Sequence, residues 1–520
     1  MRSKIVNIVI VLILSVIILL LTVKNIIPNT SPINLLGKGR VSLRLWYTDE
    51  SLSDYLTTQA VKYNEAHSNV RIEPILVSGV ELLENINSSS LKGEAFPDLY
   101  ITTNDVLEKA SLAGLTTEIA PDGKYLNENN FSKAALNSIS YKGNYVAYPF
   151  YYETSALMFN RTYLEDFAWS RIAENEGISL SYEEDSEDES EADKEKDGET
   201  ASNDNPEENK NEDTKEDDSE KKAAFDANIA ELRRQHKDAI DLAVQEMIPS
   251  TISEIIEFAR NYNAPASVES VFEWDVTDIF YNYFFVGGYI NAGGDAGDTI
   301  TELDLYTTEM VSCMMAYQKL RDYFAIDANE VSYSGIMEDF IAGKMVFTVA
   351  TSDAVTKIRA AQAEGSCSFQ YGVANIPDLN EDYITRSMSV TGCIAVNGYT
   401  NNTAEAFDFA GYLSSGTDES FFNQTGKLPA RKGIEYGDRT LEIFEKVYEE
   451  SVPLPKMIET SNLWMLMEIA FTEIWNGANP NTTLKEMSES IMKQVVGRHY
   501  EEMLLPEPEA VQITNSHNAD

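Results

Sequence analysis

Several short stretches of this chain combine aromatic rings with carboxylates or hydroxyls. They hold Trp46, Tyr47, Asp49 and Glu50; Thr102, Thr103, Asn104 and Asp105; Tyr151, Tyr152 and Glu153; and Trp274, Asp278 and Tyr281. Rings stack on apolar faces of a ligand, and carboxylates and hydroxyls hydrogen-bond its polar groups, so such sets serve recognition. Covalent or metal chemistry has less support. His67, His236, His499 and His517 are too dispersed to suggest a metal site. Cys313, Cys367 and Cys393 are expected to be buried small hydrophobes, with one disulfide and one free thiol as the alternative. With 85 acidic residues, carboxylate pairs arise by chance, and no spacing marks a catalytic pair. The expectation is a protein without catalytic residues, metal or cofactor.

The elements that must position these groups show in the periodicity. Residues 41–48, VSLRLWYT, alternate as a strand; a helix-spaced run and a second strand, VRIEPILV, follow. A helix near residues 80–92, the strand DLYIT and a helix ending at Gly114 complete an α/β unit with a largely parallel sheet. Ligands of such units sit beyond strand ends and at helix N-termini, which brings Asp49, Glu50, Thr103 and Asp105 forward. Asp105 could equally cap the helix after it.

Residues 148–164, YPFYYETSALMFNRTYL, alternate too, yet would make a strand far beyond the usual length of about 5–6 residues. Its first half is aromatic with one carboxylate, its second apolar on both faces. The alternation sends either Tyr152 or its neighbours Tyr151 and Glu153 to any one face. Residues 178–222 have almost no apolar side chains to bury and are expected to be disordered. Within them DKEKDGETASND imitates a calcium loop but has the wrong residues at key places. A helix over 223–247 follows, then Pro249 and a capping box, Thr251 with Glu254. MVFTVAT, YGVANIP and MSVTGCIAVN read as later strands, and the C-terminal third as mostly helical.

The formal charge of −45 argues against nucleic acid and anionic membrane surfaces as partners. Residues 181–222 account for much of it, with twenty carboxylates against six lysines. Residues 5–23 are apolar except Asn7, Ser15 and Thr22, and Arg2 and Lys4 precede them. That run is long enough to span a bilayer with its N-terminus in the cytoplasm. No small-x-small cleavage site follows, so a retained signal-anchor is expected, a removed signal peptide being the alternative.

Five segments in order resemble the family 1 extracellular solute-binding proteins of ABC importers, the sugar-binding group that includes maltose-binding protein. They are FPDLYITTNDVLEKASLAGLTTEI, YKGNYVAYPFYYETSALMFNRTYL, FIAGKMVFTVATS, FNQTGKLPARKGI and ANPNTTLKEMSESI. The resemblance implies a type II, two-lobe periplasmic-binding-protein-like α/β fold with a ligand cleft between hinge-linked lobes. By this reading residues 1–24 are the anchor and 25–40 a linker. The first lobe holds 41–150 and 390–455, the second 151–389 and 456–505 with the acidic insertion 178–222, and 506–520 form a tail. YPFYYETSALMF would be the first hinge crossing and MSVTGCIAVN the return.

The resemblance also implies ligand contacts. Asp49, Glu50 and Asp105 match polar positions. Trp464, at the start of a helix, matches a stacking aromatic. Trp274, Asp278 and Tyr281 fall where the family offers an aromatic, although their helical spacing also suits a core. Shortly after GKMVF the family frequently has a Trp, whereas this chain has Ala350, Thr351, Ser352 and Asp353. The implied function is capture of a carbohydrate, an oligosaccharide, by a monomeric, membrane-anchored extracellular protein that delivers it to an importer permease. A non-sugar solute and a ligand-sensing receptor are the alternatives, with an extracellular glycosidase behind them.

Overall fold

The computed structural model describes residues 40–120, 124–182 and 211–513. The expected anchor and the calcium-loop imitation lie outside them. Among the described residues no helix is long and apolar enough to cross a membrane.

The chain begins as β1 (Val41–Tyr47), α1 (Ser53–Ala66), β2 (Val70–Leu76), α2 (Leu82–Lys92) and β3 (Leu99–Thr103). Alternation explains β1, whose Leu43, Leu45 and Tyr47 are buried while the residues between them are not. After α3 (Leu107–Leu112) and α4 (Lys133–Ser138) comes the long strand, and it breaks in two. β4 (Tyr148–Thr154) and β5 (Ala156–Asn160) are separated by Ser155 alone. β4 pairs with strands of one sheet and β5 with strands of another. The two characters seen in the sequence are therefore two different sheets.

Next come α5 (Arg161–Glu176), α6 (Asn211–Gln235), α7 (Lys237–Met247), α8 (Ile252–Asn261), β6 (Ser270–Glu273), α9 (Thr308–Leu320) and α10 (Tyr333–Ile341). Then follow β7 (Met345–Ala350), α11 (Asp353–Glu364), β8 (Tyr371–Ala374) and β9 (Met388–Val396). The chain continues with α12 (Thr403–Ser415), α13 (Glu419–Thr425), β10 (Leu428–Pro429), α14 (Leu441–Glu450), β11 (Val452–Pro453), α15 (Leu463–Trp475) and α16 (Pro480–Val496).

The first sheet has the order β10-β4-β9-β3-β1-β2, with β11 on β9. Along its main path only the pairs β1–β2 and β1–β3 are parallel and the other three neighbouring pairs are antiparallel, so it is mixed rather than largely parallel. The second sheet has the order β8-β5-β7-β6. One apolar core surrounds the first sheet and takes in one face of the second, through Met158, Met345, Ala350 and Val373; the other core lies on the second sheet's opposite face and includes Trp274, Tyr317, Phe471 and Trp475.

Three segments cross between the lobes. One is the Ser155 break. The expected return crossing, MSVTGCIAVN, is instead strand β9 wholly within the first sheet, and residues 375–387 before it make the passage from β8. The third leads from β11 to α15. Hydrogen bonds stitch the crossings: Thr154 Oγ1 donates to the Met388 carbonyl at 2.8 Å and Ser387 Oγ to that of Ser155 at 3.1 Å. Buried Asn104 donates to the Leu454 carbonyl and accepts from the Thr391 N–H, both at 2.9 Å.

Helix α6 starts at Asn211, inside the stretch expected to be disordered, twelve residues before the helix read from sequence. Half-buried Phe225, Ile229 and Leu232 share one face at i, i+4 and i+7, which anchors its later part. Phe225 meets Tyr182 at 5.7 Å between ring centroids. The C-terminal segment is tied down as far as Ile513, since Val511 and Ile513 are buried in the second core. All three cysteines are free and buried.

Candidate functional site

A cavity of about 650 Å³ opens between the lobes. Its first-lobe wall is Glu153 of β4, Val390 of β9 and the turn Thr425, Gly426 and Lys427 between α13 and β10. Its second-lobe wall comes from the segment after β6, with Asp278 and Tyr281, from Tyr333 at the start of α10, and from Thr351, Ser352 and Asp353 between β7 and α11. Strand ends and helix N-termini thus meet there, as expected for α/β lobes.

The second-lobe wall is aromatic. The rings of Tyr281 and Tyr333 stack with centroids 4.6 Å apart and planes 15° from parallel. The Tyr333 hydroxyl donates to Asp353 Oδ1 at 2.6 Å and lies 3.2 Å from Thr351 Oγ1. Thr351 also hydrogen-bonds Asp353, and Lys357 pairs with Asp353 at 2.8 Å while lying 4.9 Å from the Tyr333 ring centroid. Burial disfavours the charge on Asp353, but the donors from Lys357, Thr351 and Tyr333 outweigh it and hold its pKa below the ordinary value. The ring pair occupies the side of the cleft from which the resemblance's Trp is missing.

The first-lobe wall is ionic. Lys427 Nζ lies 2.6 Å from Glu153 Oε1, 2.9 Å from Asp49 Oδ2 and 4.8 Å from the Tyr151 ring centroid. Burial opposes its charge, but Glu153, Tyr151 and Asp49 raise its pKa above that of an ordinary lysine. Asp49 also accepts from the Ser51 N–H at 2.9 Å and from Ser51 Oγ at 2.7 Å. Burial pushes the Asp49 pKa up, and the donors from Ser51 and Lys427 more than reverse this. Behind Lys427 lies a second cavity, about 310 Å³, lined by Asp49, Thr103, Lys109 and Tyr151 among others.

The structure brings Asp49, Glu153, Asp278, Tyr281, Thr351 and Ser352 to these two cavities, with Thr103 in the smaller one. Asp278 accepts from the Phe280 N–H at 2.8 Å, and burial followed by the charge of Asp275 raises its pKa. Ser352 Oγ donates across the seam to the Gly426 carbonyl at 3.4 Å. Trp464 is half-buried on α15, its ring 5.8 Å from that of Tyr283. One turn on, Glu468 has its pKa raised by burial and then by the charges of Asp278 and Asp275; neither Trp464 nor Glu468 lines either cavity.

Other expected contacts lie elsewhere. Trp274 is fully buried, donating Nε1–H to Asn282 Oδ1 at 2.8 Å and packing on Phe272 and Trp475, so the core explanation of its helical spacing prevails. Tyr152 faces the first core, stacked on Tyr448 at 4.0 Å, because the pleat that sends Tyr151 and Glu153 to the cavities must send Tyr152 the other way. Tyr47 is buried with its hydroxyl donating to Ser53 Oγ at 3.1 Å. Glu50 is exposed and lines neither cavity. Asp105 lines neither cavity and is no N-cap; it sits within the turn Asn104–Val106. Burial raises its pKa, and its buried Oδ1 has no partner among the described residues.

Sequence reasoning missed Lys427, Tyr333 and Lys357. The signal for Lys427 was present: it is the variable residue of the TGKLPAR turn. Two larger clefts, about 800 Å³ each, flank the lobe seam elsewhere. One is lined largely by aliphatic and proline residues, the other by loop backbone and the carboxylates Asp295, Asp298 and Glu302, and neither has a stacked aromatic pair among its lining residues.

No family model matches the chain. Several solved structures do, over most of its length. A cyclo/maltodextrin-binding protein complexed with maltotetraose is 16% identical, covers 90% of this chain and 100% of its own, and has a TM-score of 0.63. An extracellular solute-binding protein from Staphylococcus aureus in complex with maltose is 18% identical, with 89% and 99% covered and a TM-score of 0.62. The maltose-maltodextrin binding protein of Alicyclobacillus acidocaldarius is 14% identical, with 87% and 100% covered and a TM-score of 0.58. These likenesses, together with the two sheets and the three crossings, show that the chain has the two-lobe, periplasmic-binding-protein-like fold.

Proposed function

We propose that the chain is the extracytoplasmic solute-binding component of an ABC importer and captures an oligosaccharide by closing its lobes around it. The observation that carries this reading is the interlobe cavity itself: a stacked tyrosine pair on one wall faces Lys427, paired with the carboxylates of Glu153 and Asp49, on the other. A pyranose ring offers apolar C–H faces to the tyrosines and a belt of hydroxyls to the charged groups, so both walls engage the same ligand. The shared fold with maltose and maltodextrin binders supports the choice of sugar. The same support favours binding without turnover. The apolar run at residues 5–23, after Arg2 and Lys4, anchors the chain with its bulk outside the cytoplasm, and an importer permease is the partner.

Calorimetric titration of the full-length chain against mono- and oligosaccharides tests the reading. Binding of one sugar class, weakened about tenfold or more by Tyr281→Ala, is the expected result. No binding of any sugar by folded protein would overturn it in favour of a non-sugar solute. For the anchor, the chain should stay with membranes after an alkaline wash and be released when residues 1–24 are deleted. Recovery of the intact chain in the soluble fraction would refute it.

A further inference from the structure

The two cavities of the cleft are neighbours, and one side chain stands between them. Asp49 and Tyr151 line the smaller cavity of about 310 Å³, whereas Glu153 and Lys427 line the interlobe cavity of about 650 Å³. Lys427 Nζ reaches both carboxylates, at 2.9 Å and 2.6 Å, and lies over the Tyr151 ring. We propose that Lys427 is a specificity-determining residue, a partition that ends the row of sugar units at the interlobe cavity and so limits the length of oligosaccharide accepted. This rests on the oligosaccharide reading above.

Three features make the partition firm. All four groups belong to the first lobe: Asp49 follows β1, Tyr151 and Glu153 are on β4, and Lys427 precedes β10. Hinge motion changes the interlobe cavity but carries this cluster as a unit. Lys427 is also placed by its turn. Gly426 ends α13 in the left-handed region at φ +71°, its N–H bonded to the Phe422 carbonyl, and the Lys427 N–H donates to Thr425 Oγ1 at 3.1 Å.

Finally, the Lys427 side chain is 16% exposed. Moving it aside for a longer ligand would leave two neighbouring carboxylates facing each other with no counter-charge, an unfavourable arrangement in a partly desolvated site. One cation against two carboxylates also leaves the junction with surplus acceptors. The ligand chemistry that fits is a neutral saccharide whose terminal hydroxyls donate to them, rather than an anionic one.

The test is titration of the full-length chain with maltose, maltotriose, maltotetraose and longer linear glucose oligosaccharides. Wild type should gain affinity with length and then level off. Lys427→Met alone leaves Asp49 and Glu153 unopposed, so the double variant Asp49→Asn with Lys427→Met removes the partition while relieving that repulsion. Its affinity should keep rising past the wild-type plateau, by about threefold to tenfold for the added unit. Lys427→Arg, which keeps the cation, should restore the plateau. Equal loss at every length, with the plateau unchanged, would overturn the proposal and leave Lys427 a general support of the site. No binding of any of these sugars by wild type would remove both this inference and the reading it rests on.

Discussion

Replacing Tyr152 by phenylalanine tests the register of β4, on which the placement of the first-lobe wall depends. Tyr152 is 1% exposed, and its ring lies 4.0 Å from that of Tyr448 with the planes 3° from parallel. Its hydroxyl has no hydrogen-bond partner among the described residues. A buried hydroxyl without a partner costs about 1–3 kcal/mol, while phenylalanine keeps the stacked ring and its packing. Tyr152→Phe should therefore stabilise the protein by about 1–3 kcal/mol. Tyr448→Phe is the control: that hydroxyl pairs with Thr391 Oγ1 at 2.8 Å, and losing it should cost about 1 kcal/mol. Urea midpoints at unchanged slope measure both. Because Tyr152 faces the core, ligand affinity should stay within about twofold of wild type, a difference of roughly 0.4 kcal/mol. Loss of stability in Tyr152→Phe would mean that the hydroxyl is bonded, and a large loss of affinity would place this face of β4 in the cleft; either result would refute the reasoning.

Trp274→Ala should lower stability by about 3–5 kcal/mol in urea denaturation, since the ring is fully buried; Trp464→Ala, at a half-buried ring packed on Tyr283, should cost far less. Lys456 is buried, donates Nζ–H to the Asn137 carbonyl at 2.9 Å and also bonds the Ala296 carbonyl, and burial lowers its pKa to about 8. The unfolded chain then binds more protons between pH 8 and the ordinary lysine value of about 10.4, so stability should rise with pH across that window by up to about 3 kcal/mol. Lys456→Met should abolish the rise, and equal slopes in both proteins would refute the burial argument. Asp438 joins Arg359 at 2.9 Å and the Tyr371 hydroxyl at 2.6 Å across the seam, both partly exposed, so a double-mutant cycle of Asp438→Asn with Arg359→Met should give a coupling of about 1 kcal/mol.

The two-lobe plan was legible because it is written in local periods. The over-long strand at residues 148–164 carried two kinds of surroundings, and the structure divides it at Ser155 between two sheets. The capping box of Thr251 and Glu254 and the helix stop at Pro249 are short-range signals of the same kind. The return crossing was not legible. An apolar run such as MSVTGCIAVN says that a strand is buried, not which neighbours bury it, and β9 proved to be a central strand of the first sheet. The start of α6 was misplaced because composition alone was weighed there. The later face of that helix, with Phe225, Ile229 and Leu232, supplies the burial that a charge count does not register.

The site divides along the same line. Places after strands were legible, and of the residues found there Asp49, Thr103, Thr351 and Ser352 line the two cavities while Glu50 and Asp105 line neither; the pleat left Tyr152 or Glu153 open, and Tyr152 turns to the core because Glu153 faces the cleft. What makes these residues into a wall comes from far along the chain. Lys427 meets Glu153 across a separation of 274 residues, and the Tyr281–Tyr333 stack joins the helical turn Ile279–Tyr281 to the first residue of α10. No local period records such pairs; they exist only once two lobes have folded and the crossings have fixed their seam. The cleft's chemistry is thus a property of the seam: variants of Ser387, Thr154 or Asn104 that remove the side-chain bonds beside the crossings should alter binding without touching a ligand.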